Sequence, residues 1–166
     1  GETAGAGGEA GGWNAIELEG IEPYSQRINL LAGLPDGRVF CKAQPHFGGS
    51  IYNPNTGEID AFGDGPTEAY NCLYHEGRIY WTGYSSGRTC VYDPSRPWTL
   101  TKGVPPGREP ANIRDKATNP RQLALFHEHK VSQMLGAVIG ADNKLYLCGW
   151  GVRAYKGGAF CWVDLE

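Results

Sequence analysis

The sequence predicts an all-β fold built from repeated four-stranded antiparallel units. Three observations carry that expectation. The 166 residues include 25 Gly, 11 Pro, 9 Tyr, 5 Trp and 5 Phe, a balance that favours tight turns joining aromatic-rich, pleated strands. The stretch GRIYWTGYSSGRTCVYDP, Gly77 to Pro94, reads as strand, turn, strand and an Asp-Pro turn. Looser copies of it begin at Gly37 and at Asn143.

Each element of the unit aligns in turn. The second strand opens at Gly37-Arg38-Val39-Phe40, Gly77-Arg78-Ile79-Tyr80 and Asn143-Lys144-Leu145-Tyr146, with offsets of 40 and then 66 residues. The third strand follows as Ser50-Ile51-Tyr52-Asn53-Pro54, Cys90-Val91-Tyr92-Asp93-Pro94 and Cys161-Trp162-Val163-Asp164. Asn-Pro and Asp-Pro suit the first two positions of a type I turn. A fourth strand is expected at Ile16–Pro23, at Ile59–Pro66 and at Thr99–Pro106, each leaving through G-x-x-P. Units of about 40 residues with four short strands have the period of a propeller blade.

Through "DGRVF" (36–40), "EGRIYW" (76–81), "IYNPNTGE" (51–58) and "VYDPSRP" (91–97), the chain resembles kelch-like and YVTN-like β-propeller blades from about residue 13 onward. The expected organisation is a Gly-rich linker at 1–12, an outer strand at 13–22, a blade at 24–64, a blade at 67–103, an insertion at 107–131 and an incomplete blade at 132–166. Within the insertion, RQLALFHEH reads as a short helix capped by Asn119-Pro120 or as a strand. Three blades do not close a ring, which takes four to eight. The remaining blades of a longer chain, or a second copy, are therefore expected as partners. No Met opens the sequence, so an excised piece is expected.

Composition also bounds function. A formal net charge of -3 gives no reason to expect a nucleic-acid partner. The longest apolar run, around Met134 to Ala141, is too short to span a membrane. Cys41, Cys72, Cys90, Cys148 and Cys161 form no C-x-x-C pair, so small packing residues are expected rather than a zinc or redox site. Ser50, Cys90 and Cys161 share one slot of the repeat, which supports packing. The mid-strand aromatics Tyr80, Trp81, Tyr92 and Trp162 are expected between blades.

In propellers, the turns between second and third strands and the links into the next blade gather on one face. The resemblance thus implies a site there. Candidate ligand-binding residues are Gln44, Arg88, Arg121, Trp150, Arg153 and Tyr155, since aromatic rings stack on sugars and Arg pairs with carboxylates. Candidate catalytic residues are His46, Tyr84 and His127, as bases for a lyase that removes a proton beside a neutralised uronate. His127 and His129 would chelate a divalent metal if their segment is a strand, where alternate side chains share a face about 6–7 Å apart. On a helix they would diverge. The paired acids Glu17 and Glu19, and Glu58 and Asp60, read as solvated edge-strand charges and not as a glycosidase pair. The implied functions are binding of an anionic polysaccharide, with or without lyase chemistry, or a non-catalytic protein scaffold. The sequence leaves open whether the chain is an enzyme. The same resemblance, to propeller modules of extracellular polysaccharide-active proteins, implies a secreted or periplasmic setting.

Overall fold

The computed structural model describes residues 27–44, 48–63, 65–66, 68–84, 86–100, 111–152 and 157–165. Their strands are β1 (Arg27–Gly33), β2 (Val39–Gln44), β3 (Gly49–Tyr52), β4 (Ile59–Ala61), β5 (Glu68–His75), β6 (Arg78–Tyr84), β7 (Thr89–Tyr92), β8 (Arg121–Ala124), β9 (Val131–Ile139), β10 (Lys144–Gly151) and β11 (Gly158–Asp164). The only helical element among the described residues is a 3₁₀ turn, His127–His129. The fold is all-β. Among the described residues every strand pairing is antiparallel.

β1 to β4 form one sheet in chain order. β5-β6-β7-β8 and β9-β10-β11 repeat that order and join into one curled sheet through the pair Tyr84↔Gln133. β1 lies beside β5, and β5 beside β9, so the first strands of the three units are neighbours. This arrangement is compatible with partial propeller blades.

The repeat is written into the backbone as well as the letters. Gly37 (φ 87), Gly77 (φ 83) and Asn143 (φ 58) all sit in the left-handed region just before the second strand. Gly and Asn are the residues that enter it at least cost. Each pairing of first and second strands also carries a bulge: opposite Ala43/Lys42, Gly83/Thr82 and Gly149/Cys148. These steps recur at the sequence offsets of 40 and 66. At Gly83 and Gly149 an added Cβ would run into the Glu68 and Gln133 carbonyl oxygens. The close approach needs glycine there.

The middle unit is buried on both faces. Ile79, Trp81, Cys90 and Tyr92 pack with Leu34, Phe40 and Ile51 of the first sheet. Tyr80 and Val91, on the alternate face, pack with Met134, Leu145 and Leu147 of the third unit. Trp81 stacks on Phe40 at 6.0 Å and on Trp98 at 6.4 Å. The expectation for Tyr80, Trp81 and Tyr92 therefore agrees with their positions, whereas Trp162 is 54% exposed. All five cysteines are free. Cys41 and Cys90 are buried, Cys72 and Cys161 partly so, and Cys148 is exposed.

One strand is corrected. The fourth strand of the middle unit is β8, at Arg121–Ala124, which pairs with β7. Thr99 and Leu100 are not strand. The reason is Asn119, 3% exposed. Its side-chain amide donates to the carbonyls of Asp93 (2.8 Å), Arg96 (3.0 Å) and Pro97 (3.2 Å), and its Oδ1 accepts from the Asp93 amide (2.9 Å). That staple delivers residue 121 to the edge of β7. The expected insertion therefore contains the missing strand, and RQLALFHEH is a strand followed by a 3₁₀ turn. The expected linker 1–12, the strand at 13–22 and the stretch 101–110 lie outside the described residues.

Candidate functional site

The turn end of the second and third units collects part of the expected site. Glu68, Tyr84, Gln133, Trp150 and Gly158 are successive backbone partners across β5, β6, β9, β10 and β11. Tyr84 is 41% and Trp150 63% exposed. Burial, the largest cause, and the neighbouring Glu68 raise the Tyr70 pKa, so its phenol stays protonated at neutral pH.

The 3₁₀ turn is tied to the adjoining loop. The Phe126 amide donates to the Ser86 carbonyl at 3.0 Å, and His127 Nδ1 lies 3.0 Å from Ser86 Oγ. The Val152 amide donates to the Lys130 carbonyl at 2.8 Å. A hollow of about 610 Å³ follows, lined by Phe126, His129, Lys130, Gly151, Phe160 and Trp162 among others. A second hollow, of about 510 Å³, lies between Leu135, Cys148 and Trp150. The end is thus aromatic and histidine-bearing, with a hydroxyl on one imidazole.

The expected residues divide. Tyr84, Trp150 and His127 reach this end. Arg88 does not serve it as a ligand arm: it is 5% exposed, donates to the Pro66 carbonyl at 3.3 Å, and burial lowers its pKa. Arg121 goes to the opposite end, because it opens β8 against Val91 while Ala124 reaches Thr89. His127 and His129 lie on a 3₁₀ turn and not on a strand, so the condition for the chelate is not met. Among the described residues no group of three or more His, Cys, Asp or Glu is placed to hold a metal ion. His46, Arg153 and Tyr155 lie outside the described residues, as does the side chain of Gln44.

Two contributors, and one buried cation of the first unit, were not foreseen. Ser86 and Gln133 gave no signal beyond being polar. Lys42 did: it shares the strand parity of Phe40. It is fully buried, its Nζ donates to the Ala43 carbonyl at 3.3 Å, and burial lowers its pKa to about 8. Comparison with family models, curated proteins and solved structures finds no match to this chain.

Proposed function

We propose that the chain is a partial β-propeller module that binds an anionic polysaccharide at the turn end of its second and third units. Its ring is completed by further blades or a second copy. The observation that carries the binding reading is the row Glu68–Tyr84–Gln133–Trp150, two exposed aromatics alternating with hydrogen-bonding side chains. Such a row suits a sugar chain, whose apolar faces stack and whose hydroxyls pair. Lyase chemistry has less support. Two of the arginines expected to neutralise a uronate, Arg88 and Arg121, are respectively buried and at the far end.

The test is titration of the chain with polygalacturonate, followed by tryptophan fluorescence, in the wild type and in Tyr84→Ala and Trp150→Ala. Saturable binding weakened at least tenfold by each variant is expected. Binding untouched by Tyr84→Ala would sink the reading. Appearance of the ultraviolet absorbance of an unsaturated uronate, lost in His127→Ala, would restore the lyase.

A second reading is a protein-binding scaffold. It is favoured by one observation: the outer face of the third unit bares Val138, Trp150, Phe160 and Trp162. Contiguous exposed apolar surface of that kind marks an interaction site.

A further inference from the structure

The units stack by one rule. The face of the first unit that carries Phe40 and Ile51 packs on the face of the second that carries Ile79, Trp81 and Tyr92. The opposite face of the second, with Tyr80 and Val91, packs on the face of the third that carries Leu145 and Leu147. Each unit thus has a forward and a rear face. Among the described residues two faces meet no other unit: the forward face of the third and the rear face of the first. We propose that these two faces dock on one another between two copies of this chain, head to tail. The proposal deepens the reading of the chain as part of a ring and does not depend on the polysaccharide.

Continuity with the two existing interfaces is the first argument. Tyr146 and Trp162 stand in the forward slots that hold Phe40 and Ile51 in the first unit and Tyr80 and Val91 in the second. Val39, Cys41 and Tyr52 stand in the rear slots that hold Ile79, Trp81 and Tyr92 in the second. Phe160 and Trp162 are exposed on the forward side, and Leu31 is 63% and Ile28 40% exposed on the rear side. Cys41 and Ser50, both small and buried, lie between the larger rear residues.

Charge is the second argument. By strand parity the rear face of β1 to β4 carries no Asp, Glu, Lys, Arg or His among the described residues. The charged residues of the forward face of β9 to β11 are Lys144 and Asp164, which are backbone partners at one end. An antiparallel sheet that keeps one face in water alternates polar residues onto it. Neither face follows that pattern, and their contact buries no lone charge.

Shape is the third argument, and it selects a second copy of this chain. Lys42 of the first unit lies within electrostatic reach of Cys72 and Cys90 of the second. Its cross-strand row therefore faces the row Cys72–Trp81–Cys90. In the third unit the same forward row is Gly136–Cys148–Phe160, small on its first strand and large on its last. In the first unit the same rear row is Leu31–Cys41–Ser50, large on its first strand and small on its third. First strands lie beside first strands at both existing interfaces. Repeating that packing sets Gly136 against Leu31 and Phe160 against Ser50, so bulk meets space at both ends of the row. The two faces differ, so the contact is heterologous, and two copies that each make it once with either face form a closed pair.

The test mixes two variants of the full chain. Trp162→Asp spoils the forward face and leaves the rear face whole, and Leu31→Asp does the opposite. Both positions are exposed, so each urea midpoint should match wild type. Phe160→Asp and Ile28→Asp replace them should either midpoint fall. In sedimentation equilibrium the wild type should reach twice the 18.0 kDa of one copy. Each variant alone should pair at least tenfold more weakly. Mixed in equal amounts, the two should pair again, more weakly than wild type, because one of the two contacts is whole. If Leu31→Asp pairs with itself as tightly as wild type, forward faces meet each other and the head-to-tail contact is wrong. A wild type that stays single at every concentration would also overturn the proposal. Titrating the same samples with polygalacturonate keeps the failures apart: a single chain that still binds it loses this proposal alone.

Discussion

The first two units and the third carry the same slots on opposite terms. Phe40 and Tyr80 occupy one slot and are buried; its third copy, Tyr146, is only half-buried. Lys42 and Thr82 share the next and are fully buried, whereas Cys148 is exposed. Ile51 and Val91 are buried in the third strand, and their counterpart Trp162 is 54% exposed. The face that looks toward the next unit is thus covered twice and bare once. Phe160, 71% exposed, stacks on Tyr146 at 6.0 Å as the nearest apolar cover. The difference teaches that an exposed aromatic in this fold can sit in a slot that other units bury, so exposure of Trp162 alone does not mark a ligand site. Tyr146 and Trp162 stand in slots that hold buried side chains in the first two units, on a face that no described residue covers.

The largest effect that would sharpen this contrast comes from truncating a covered position. Trp81→Ala removes a fully buried ring that stacks on Phe40 and Trp98. It should destabilise the chain by about 3–5 kcal/mol in urea unfolding. Next is Lys42→Met. With the folded pKa lowered from 10.5 to about 8, the unfolded chain holds the extra proton between those values. Stability from this group therefore rises as pH climbs from about 8 toward 10.5, and at neutral pH the buried charge is a cost. Lys42→Met should then stabilise by about 2 kcal/mol at pH 7, with the gain shrinking by pH 9. Above pH 9 the thiols act oppositely. Burial raises Cys72 and Cys90 to about 12 from 9.0, so unfolded thiolates form first and both proteins lose stability. A gain that does not shrink between pH 7 and 9 would contradict the assignment. Gly83→Ala and Gly149→Ala come third, at about 1–3 kcal/mol each. Both press a methyl onto a carbonyl of the neighbouring strand, so similar losses are expected in both units.

Much of the fold was legible because it rests on features that a sequence records locally. Glycine or asparagine before the second strand, Asn-Pro or Asp-Pro after the third, and strand-length apolar runs all reflect backbone needs. β8 was not legible. Its placement depends on the buried Asn119 amide bonding residues more than 20 positions upstream, and nothing in the letters distinguishes that Asn from a helix cap. Arg88 and Arg121 were misplaced for related reasons. A turn arginine and a loop arginine look alike until burial and register separate them. Tyr84 and Trp150 were legible because slot arithmetic puts them at the ends of aligned strands. Lys42 could have been found by parity with Phe40.

The smallest effect on stability bears most directly on the contrast. Trp162→Ser and Phe160→Ser alter rings that solvent already reaches, so each should change the unfolding free energy of the lone chain by less than about 1 kcal/mol. Their effect on assembly is expected to be far larger. If the bare face meets a second copy, light scattering on the wild type at rising concentration should move from 18.0 kDa toward twice that mass. Both variants should remain at the single-copy mass, because a two-fold assembly loses two copies of each aromatic anchor at once. A wild type that stays at the single-copy mass at every concentration would leave the face to blades supplied by other residues. In that case a peptide or domain that covers it should protect the β10 and β11 amides from hydrogen exchange. Such protection would be the first sign that the third unit has become a third covered copy of the same slots.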